Sequence, residues 1–256
     1  MLILLPPSEG KSSPTRGKSL ALDELSFPAL TAARDQVISS LVHLCDHDPD
    51  VAARTLGLGP TQSDEVRRNA RLLTSPTARA DAIYTGVLYD ALDLASLDAP
   101  SRRRASRSLA ITSSLFGLVR PGDRLPTYRL AGGVNLPGIG VVSAHWRGVL
   151  DPVMREASGN GLVVDLRSTT YAGFWRPQRD FARKVATVRV LHQVGSQRKV
   201  VSHFNKATKG RLVRALLESG ATPSSPARLA DDITALGEKV ELDPSTNQLD
   251  VIVDEL

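Results

Sequence analysis

Cysteine is almost missing from this chain. Cys45 stands alone among 256 residues, which rules out an intramolecular disulfide framework and makes a reducing, cytoplasmic setting the expectation. No apolar run approaches the roughly 20 residues of a membrane helix. The apolar N-terminus Met1–Leu5 stops at Pro6 and carries no basic flank, so it predicts a short buried strand, not a signal peptide, and no membrane partner. Internal repeats, low-complexity tracts and long linkers are also lacking, so 1–256 is expected to form a single compact α+β domain with mixed strands and helices. Two catalytic signatures are missing as well. There is no Gly-x-Ser-x-Gly nucleophile motif, and no carboxylate pair is spaced for general acid/base work, although Glu9 and Asp165 lie inside candidate motifs. Pro6-Pro7-Ser8-Glu9-Gly10-Lys11-Ser12 lacks the two spaced glycines of a phosphate loop. His43, Cys45 and His47 cluster at one helix end, but no second ligand pair at usable spacing exists, so neither a metal nor another cofactor is expected.

What the chain does have is cationic side chains in three separated runs. Net charge is +5. The stretch from Ala230 holds Asp231, Asp232, Glu238, Glu241, Asp243, Asp250, Asp254 and Glu255 against Lys239 alone, so the rest is more basic than the total suggests. Such asymmetry points to polyanionic partners. The first run is Ile111–Leu130, ITSSLFGLVRPGDRLPTYRL, where Gly117, Pro121, Gly122 and Pro126 shape a tight loop that displays Arg120, Arg124 and Arg129 beside Tyr128. Upstream of it lies the second, Arg102, Arg103, Arg104 and Arg107. The third is Arg198, Lys199, Lys206, Lys209, Arg211 and Arg214. There a strand over 199–204 is expected, with Asn205 capping a helix to Leu217, so that Lys206 and Lys209 crowd a helix N-terminus suited to an anion. Lys11, after the first strand, is a further phosphate candidate. The strand Leu162–Leu166 opens onto Arg167, Ser168, Thr169, Thr170 and Tyr171, a set of hydroxyls suited to a ligand.

Elsewhere, helical periodicity predicts helices over 28–44, 63–73, 78–97, 145–157 and 228–236. Strands are expected at 138–144 and 182–194, and a terminal hairpin from 239–242 and 249–253. The Tyr84-Thr85-Gly86 step interrupts the 78–97 helix, as close approach by a ligand or another element would explain.

The segments MLILLPPSEGKS, IYTGVLYDAL (83–92), SSLFGLVRPGDRLPTYRL (113–130), HW (145–146), VVDLRSTTY (163–171) and VVSHFNKATKGRLVRAL (200–216) together resemble the YaaA peroxide-stress family. That resemblance implies a cytoplasmic protein that limits oxidative damage, holds down free iron and binds DNA. It further implies a fold with a basic cleft and a helix-hairpin-helix element, carried here onto Ser113–Gly117. The residues expected to contact DNA or phosphate are Lys11, Gly117, Arg120, Tyr128, Arg129, Ser168, Tyr171, Ser202, Lys206, Lys209 and Arg214. Gly117 would admit a phosphate to the main chain, and Tyr128 or Tyr171 would stack on a base. The rival reading is an enzyme acting on a nucleotide or nucleobase in a pocket of the same residues. Direct iron binding lacks a ligand set, so any lowering of iron would be indirect.

Overall fold

The computed structural model describes residues 1–194, 197–199 and 202–253, with the backbone alone at 194, 202 and 203. Strand β1 (Leu2–Leu5) is buried along its length. Helices α1 (Thr31–His47), α2 (Pro49–Thr55) and α3 (Ser63–Ala70) follow, then β2 (Ala78–Arg79), α4 (Ala80–Ile83), α5 (Val87–Leu92) and α6 (Ala99–Ser108). Next come β3 (Leu109–Ser113), β4 (Gly117–Val119), β5 (Arg124–Leu125), β6 (Asn135–Leu136), β7 (Gly140–Val141) and α7 (Val142–Ser158). The remainder is β8 (Val163–Asp165), α8 (Thr169–Ala172), α9 (Arg179–Ala182), β9 (Val185–Val194), β10 (Gln197–Lys199), α10 (Ser202–Ser219), α11 (Pro226–Ala235), β11 (Lys239–Asp243) and β12 (Gln248–Val253).

Several of these starts are written in the sequence. Asp48, Asp98 and Ser225 each accept a backbone N–H of the first turn, at 3.0, 2.8 and 3.2 Å, and each is followed within two residues by a proline. That pairing satisfies a free donor and presets φ.

The main sheet runs β11-β12-β9-β8-β1-β3-β4, with β10 paired to β9. Its centre is parallel: β12 with β9, β9 with β8, β8 with β1, and β1 with β3. Parallel neighbours need helical crossovers, so helices and strands interleave in an open α/β sheet instead of segregating as α+β. Strands β4, β10 and β11 pair antiparallel at the margins. One continuous cluster of buried apolar side chains extends from Leu2 to Val251. The acidic stretch is spent partly within this sheet, where Asp250 pairs with Arg189 at 2.6 Å and Glu241 with Arg198 at 2.7 Å.

Four local expectations need correction. The helix over 78–97 is broken, because Gly86 sits at φ 97° and the backbone at Tyr84 bridges to Lys11. The strand over 138–144 is a small hairpin, β6–β7, followed at once by α7. Residues 199–204 are not one strand: Lys199 belongs to β10, residues 200 and 201 lie outside the described residues, and α10 has begun by Ser202, which leaves Asn205 inside the helix and not at its cap. Finally, Ser113–Gly117 turns between two β-strands, β3 and β4, so the helix-hairpin-helix placed there is a β-hairpin.

Candidate functional site

Strand β1 has β3 on one side and β8 on the other, and the chain visits β3 before crossing back to β8. Leu4 pairs with Ala110 and with Asp165, so the carboxyl ends of the three strands share one edge of the sheet, with β3 running on past its neighbours to Ser113. Crevices form outside the carboxyl ends of parallel strands where the winding direction reverses, and ligands of open α/β sheets bind there. Three segments leave the sheet at this edge: Pro6–Lys11, Ser113–Ser114 and Leu166–Ser168.

The first of them folds back on itself. Ser8 Oγ donates to the Gly10 carbonyl (2.6 Å) and accepts from Thr85 N–H (3.1 Å). Lys11 Nζ donates to the carbonyls of Ser8 (2.8 Å) and Glu9 (3.3 Å), and lies 4.5 Å from the centre of the Tyr128 ring and 5.7 Å from that of Tyr84. Beneath it runs a buried relay: the Tyr84 and Tyr128 hydroxyls are 3.0 Å apart, and Tyr128 Oη is 2.8 Å from Ser113 Oγ, which accepts Phe116 N–H. Tyr171 brings its hydroxyl to 3.3 Å from Ser114 Oγ. Arg129 is held by its backbone, since buried Asn69 donates to its carbonyl (2.7 Å) and accepts its N–H (2.9 Å). The charge of its guanidinium is felt at Lys11 and at Tyr171, where it favours loss of the proton. Among the described residues neither Lys11 nor Arg129 is ion-paired with a carboxylate. Burial first, and then the Arg129 charge, pull the Lys11 ammonium down to about 8. Burial pushes Tyr84 up to about 12 and Tyr128 well above its ordinary value, so the relay stays protonated at neutral pH.

Other expected contacts lie elsewhere. Arg120 donates to the carbonyls of Arg107 (2.6 Å) and Leu109 (3.0 Å), at the amino end of β3, and stacks over Phe27. It therefore sits at the opposite edge from Lys11. Gly117 (φ 72°) does not open the main chain to a phosphate, for the Trp146 ring comes within 2.6 Å of where a Cβ would stand. Nor does Tyr128 offer a face to a base; it is buried, with Lys11 over the ring and Phe116 edge-on at 5.7 Å. Arg214 spans α10 and the end of α5, donating to Leu92 O (3.2 Å), Asp93 O (2.9 Å) and Ser96 Oγ (2.9 Å) and pairing with Glu218. Lys209 is buried and donates to Leu166 O at 3.0 Å, behind β8. Lys206, one turn earlier, is exposed, as is Ser168 at the start of α8. The Ser202 side chain lies outside the described residues. The structure thus brings together Lys11, Arg129, Tyr128 and Tyr171, and not Arg120 or Arg214.

Sequence reasoning passed over Ser113, Asn69 and the ion pair of Arg167 with Asp165. That pair is bidentate (2.7 and 2.9 Å) and buried, and Arg167 also donates to Tyr171 O and Trp175 O, fixing the segment that carries Tyr171. The one available signal was the Tyr84-Thr85-Gly86 break, which marks where α4 stops to bridge the lysine turn. Behind Tyr84 and Tyr89 a separate cavity of about 190 Å³ is lined by Asp81, Asp90 and Asp93, a charge unsuited to an anion. Among the described residues no three His, Cys, Asp or Glu side chains are grouped as they would be around a metal ion, and no helix is long and apolar enough to cross a membrane.

The fold and the crevice define the class: an open-sheet α/β protein with cations and hydroxyls gathered at the carboxyl edge of its central strands. Comparison with known proteins narrows this further. The family model described as "Peroxide stress protein YaaA" matches residues 1–233. A UPF0246 protein of Streptomyces coelicolor is 52% identical over the full length of both chains. UPF0246 proteins of Corynebacterium glutamicum and Corynebacterium efficiens are each 40% identical, over 94% of this chain and 94% and 95% of theirs. The chain belongs to the YaaA peroxide stress protein family.

Proposed function

We propose that this chain serves the peroxide response of its family by binding DNA, with a backbone phosphate taken between Lys11 and Arg129 at the carboxyl-edge crevice. The observation that carries this reading is the convergence of those two cations, unpaired with any carboxylate among the described residues, beside the hydroxyls of Tyr171 and Ser114. A lysine and an arginine left without acidic partners suit a phosphodiester, since guanidinium matches phosphate oxygens in a fork. The exposed Lys206 adds a contact farther along the strand. Protection does not run through a peroxide-reactive thiolate on this reading, because burial pushes the Cys45 thiol up to about 11. Lowering of free iron is then an indirect consequence, and stoichiometric iron in the purified protein would remove that part of the proposal.

The test is an anisotropy titration of labelled duplex, single-stranded and junction DNA at several salt concentrations. Affinity is expected to fall with log[salt] at a slope near −0.9 per phosphate contacted on duplex. Arg129→Ala is expected to weaken binding about tenfold, in line with a charge-assisted contact. Affinity indifferent to both salt and Arg129 sinks the proposal. A second reading, a single nucleotide in the same crevice, is favoured by the depth of the Tyr84–Tyr128–Ser113 relay, and competition of the labelled DNA by mononucleotides at micromolar concentration would select it.

A further inference from the structure

We propose that Lys11 is a nucleophilic amine that forms an imine with a phosphate-bearing sugar aldehyde seated in the crevice, with Arg129 holding the phosphate. The proposal rests on the phosphate-binding reading of the crevice given above.

Lys11 is placed unlike a surface lysine. Its backbone is pinned by the bridge to Tyr84 and by Ser12 N–H donating to Ile83 O at 2.9 Å. Its Nζ is aimed by the carbonyls of Ser8 and Glu9 and lies over the Tyr128 ring at 4.5 Å. A lysine kept for stability pairs with a carboxylate or lets its head reach water; Lys11 pairs with none among the described residues, and Glu9 and Glu65 act on it only through space. Lys209 is the contrast, locked onto Leu166 O at 3.0 Å beside the charge of Asp165. Desolvation and a neighbouring cation both favour the free amine at Lys11, and these are the two devices by which lysines become carbonyl nucleophiles. At a value of about 8, roughly a tenth of the molecules carry the free amine at pH 7.

The chemistry is complete without a co-reactant. The nitrogen lone pair attacks the aldehyde carbon, a C–N bond forms and the C=O π bond breaks. One N–H proton passes to that oxygen, giving a carbinolamine. Loss of the hydroxyl with the second N–H proton releases water and leaves the C=N bond. Tyr171 and Ser114 supply hydroxyls for the sugar, and Arg129 suits the phosphate. Two sources present this chemistry: the ring-opened sugar of an abasic site in DNA, and a free pentose phosphate.

The test uses the full chain with sodium cyanoborohydride, which reduces an imine to a stable secondary amine. It has three arms: duplex DNA with one abasic site, the same duplex intact, and deoxyribose 5-phosphate. The adduct is located by peptide mass spectrometry. The expected result is an adduct on Lys11 with abasic DNA, with the sugar phosphate or with both, and none with intact duplex, the productive arm naming the source. Lys11→Arg keeps the charge but removes the nucleophile, and is expected to cut adduct yield at least about tenfold. Trapping by the unmodified chain should speed up as pH rises toward about 8 and then level off, a readout independent of whether the variant folds. Absence of an adduct, or an adduct spread equally over the Met1 amine and Lys206, overturns the proposal. Salt-dependent duplex binding without a Lys11 adduct defeats the imine alone; loss of both defeats the phosphate-binding reading as well.

Discussion

Gly117 and Trp146 form a lock in which each explains the other. The backbone turns at φ 72° at Gly117, and the Trp146 ring fills the space a side chain would need, 2.6 Å from the Cβ position, while its Nε1 donates to Ser114 O at 2.7 Å. Gly117→Ala therefore meets two costs, about 1–2 kcal/mol for the left-handed backbone and about 1–3 kcal/mol for overpacking. A fall of about 2–5 kcal/mol in unfolding free energy is expected, read as a lower urea midpoint at unchanged slope. A loss below about 1 kcal/mol would mean that the ring yields and the turn is slack. The requirement for glycine at this bend was legible in the sequence; what fills the space was not, because Trp146 arrives from a helix twenty-nine residues later. The same limit governs the arginines. Arg120 and Arg129 are equivalent as residue types on one loop, and only the fold shows that one reaches back to the start of β3 while the other is presented at its far end.

Helix α3 contributes to the crevice without touching a ligand. Asn69, on its last turn, is fully buried and clasps both backbone polar groups of Arg129. Asn69→Ala leaves that N–H and carbonyl without their partner, which costs about 1–3 kcal/mol per unsatisfied buried group. The expected outcome is a lower melting temperature together with weakened DNA binding at temperatures where the variant remains folded. Lost stability with unchanged affinity would show that Arg129 holds its place without the helix. Elements of this kind explain what was readable and what was not. Helices α1 and α11 and the β11–β12 hairpin declare themselves by apolar period, caps and turn residues, all local signals. The 78–97 segment has helical period on both sides of Gly86, yet breaks because Tyr84 pairs with a residue seventy-three positions earlier. The parallel order of β1, β3, β8, β9 and β12 is likewise a long-range property, and it converts an expected α+β arrangement into an α/β sheet with a carboxyl-edge crevice.

Across the whole molecule, the buried titratable groups set a stability profile with a maximum on the alkaline side. Burial lowers Lys11 and Lys209 from 10.5 to about 8. Between about pH 8 and 10.5 the unfolded chain binds more protons than the folded one, so stability rises with pH in that window. The tyrosines act in the opposite direction at higher pH. Tyr84 is pushed up to about 12, and Tyr89 and Tyr128 well above their ordinary 10, so above about pH 10 the unfolded state loses protons that the folded state keeps, and stability falls. The melting temperature is expected to climb from about pH 7.5 to 9.5 and to drop by pH 11. A sequence pI near 9.6 gives a competing cause for the climb, since self-repulsion is least where net charge vanishes. Lys209→Met separates the two. It fills the buried path behind β8 without a charge, changes net charge by one unit in a chain with 32 basic residues, and should roughly halve the rising limb, Lys11 keeping the rest, while leaving the fall above pH 10 in place. A rising limb of full height in that variant would assign the profile to net charge and not to the buried amines.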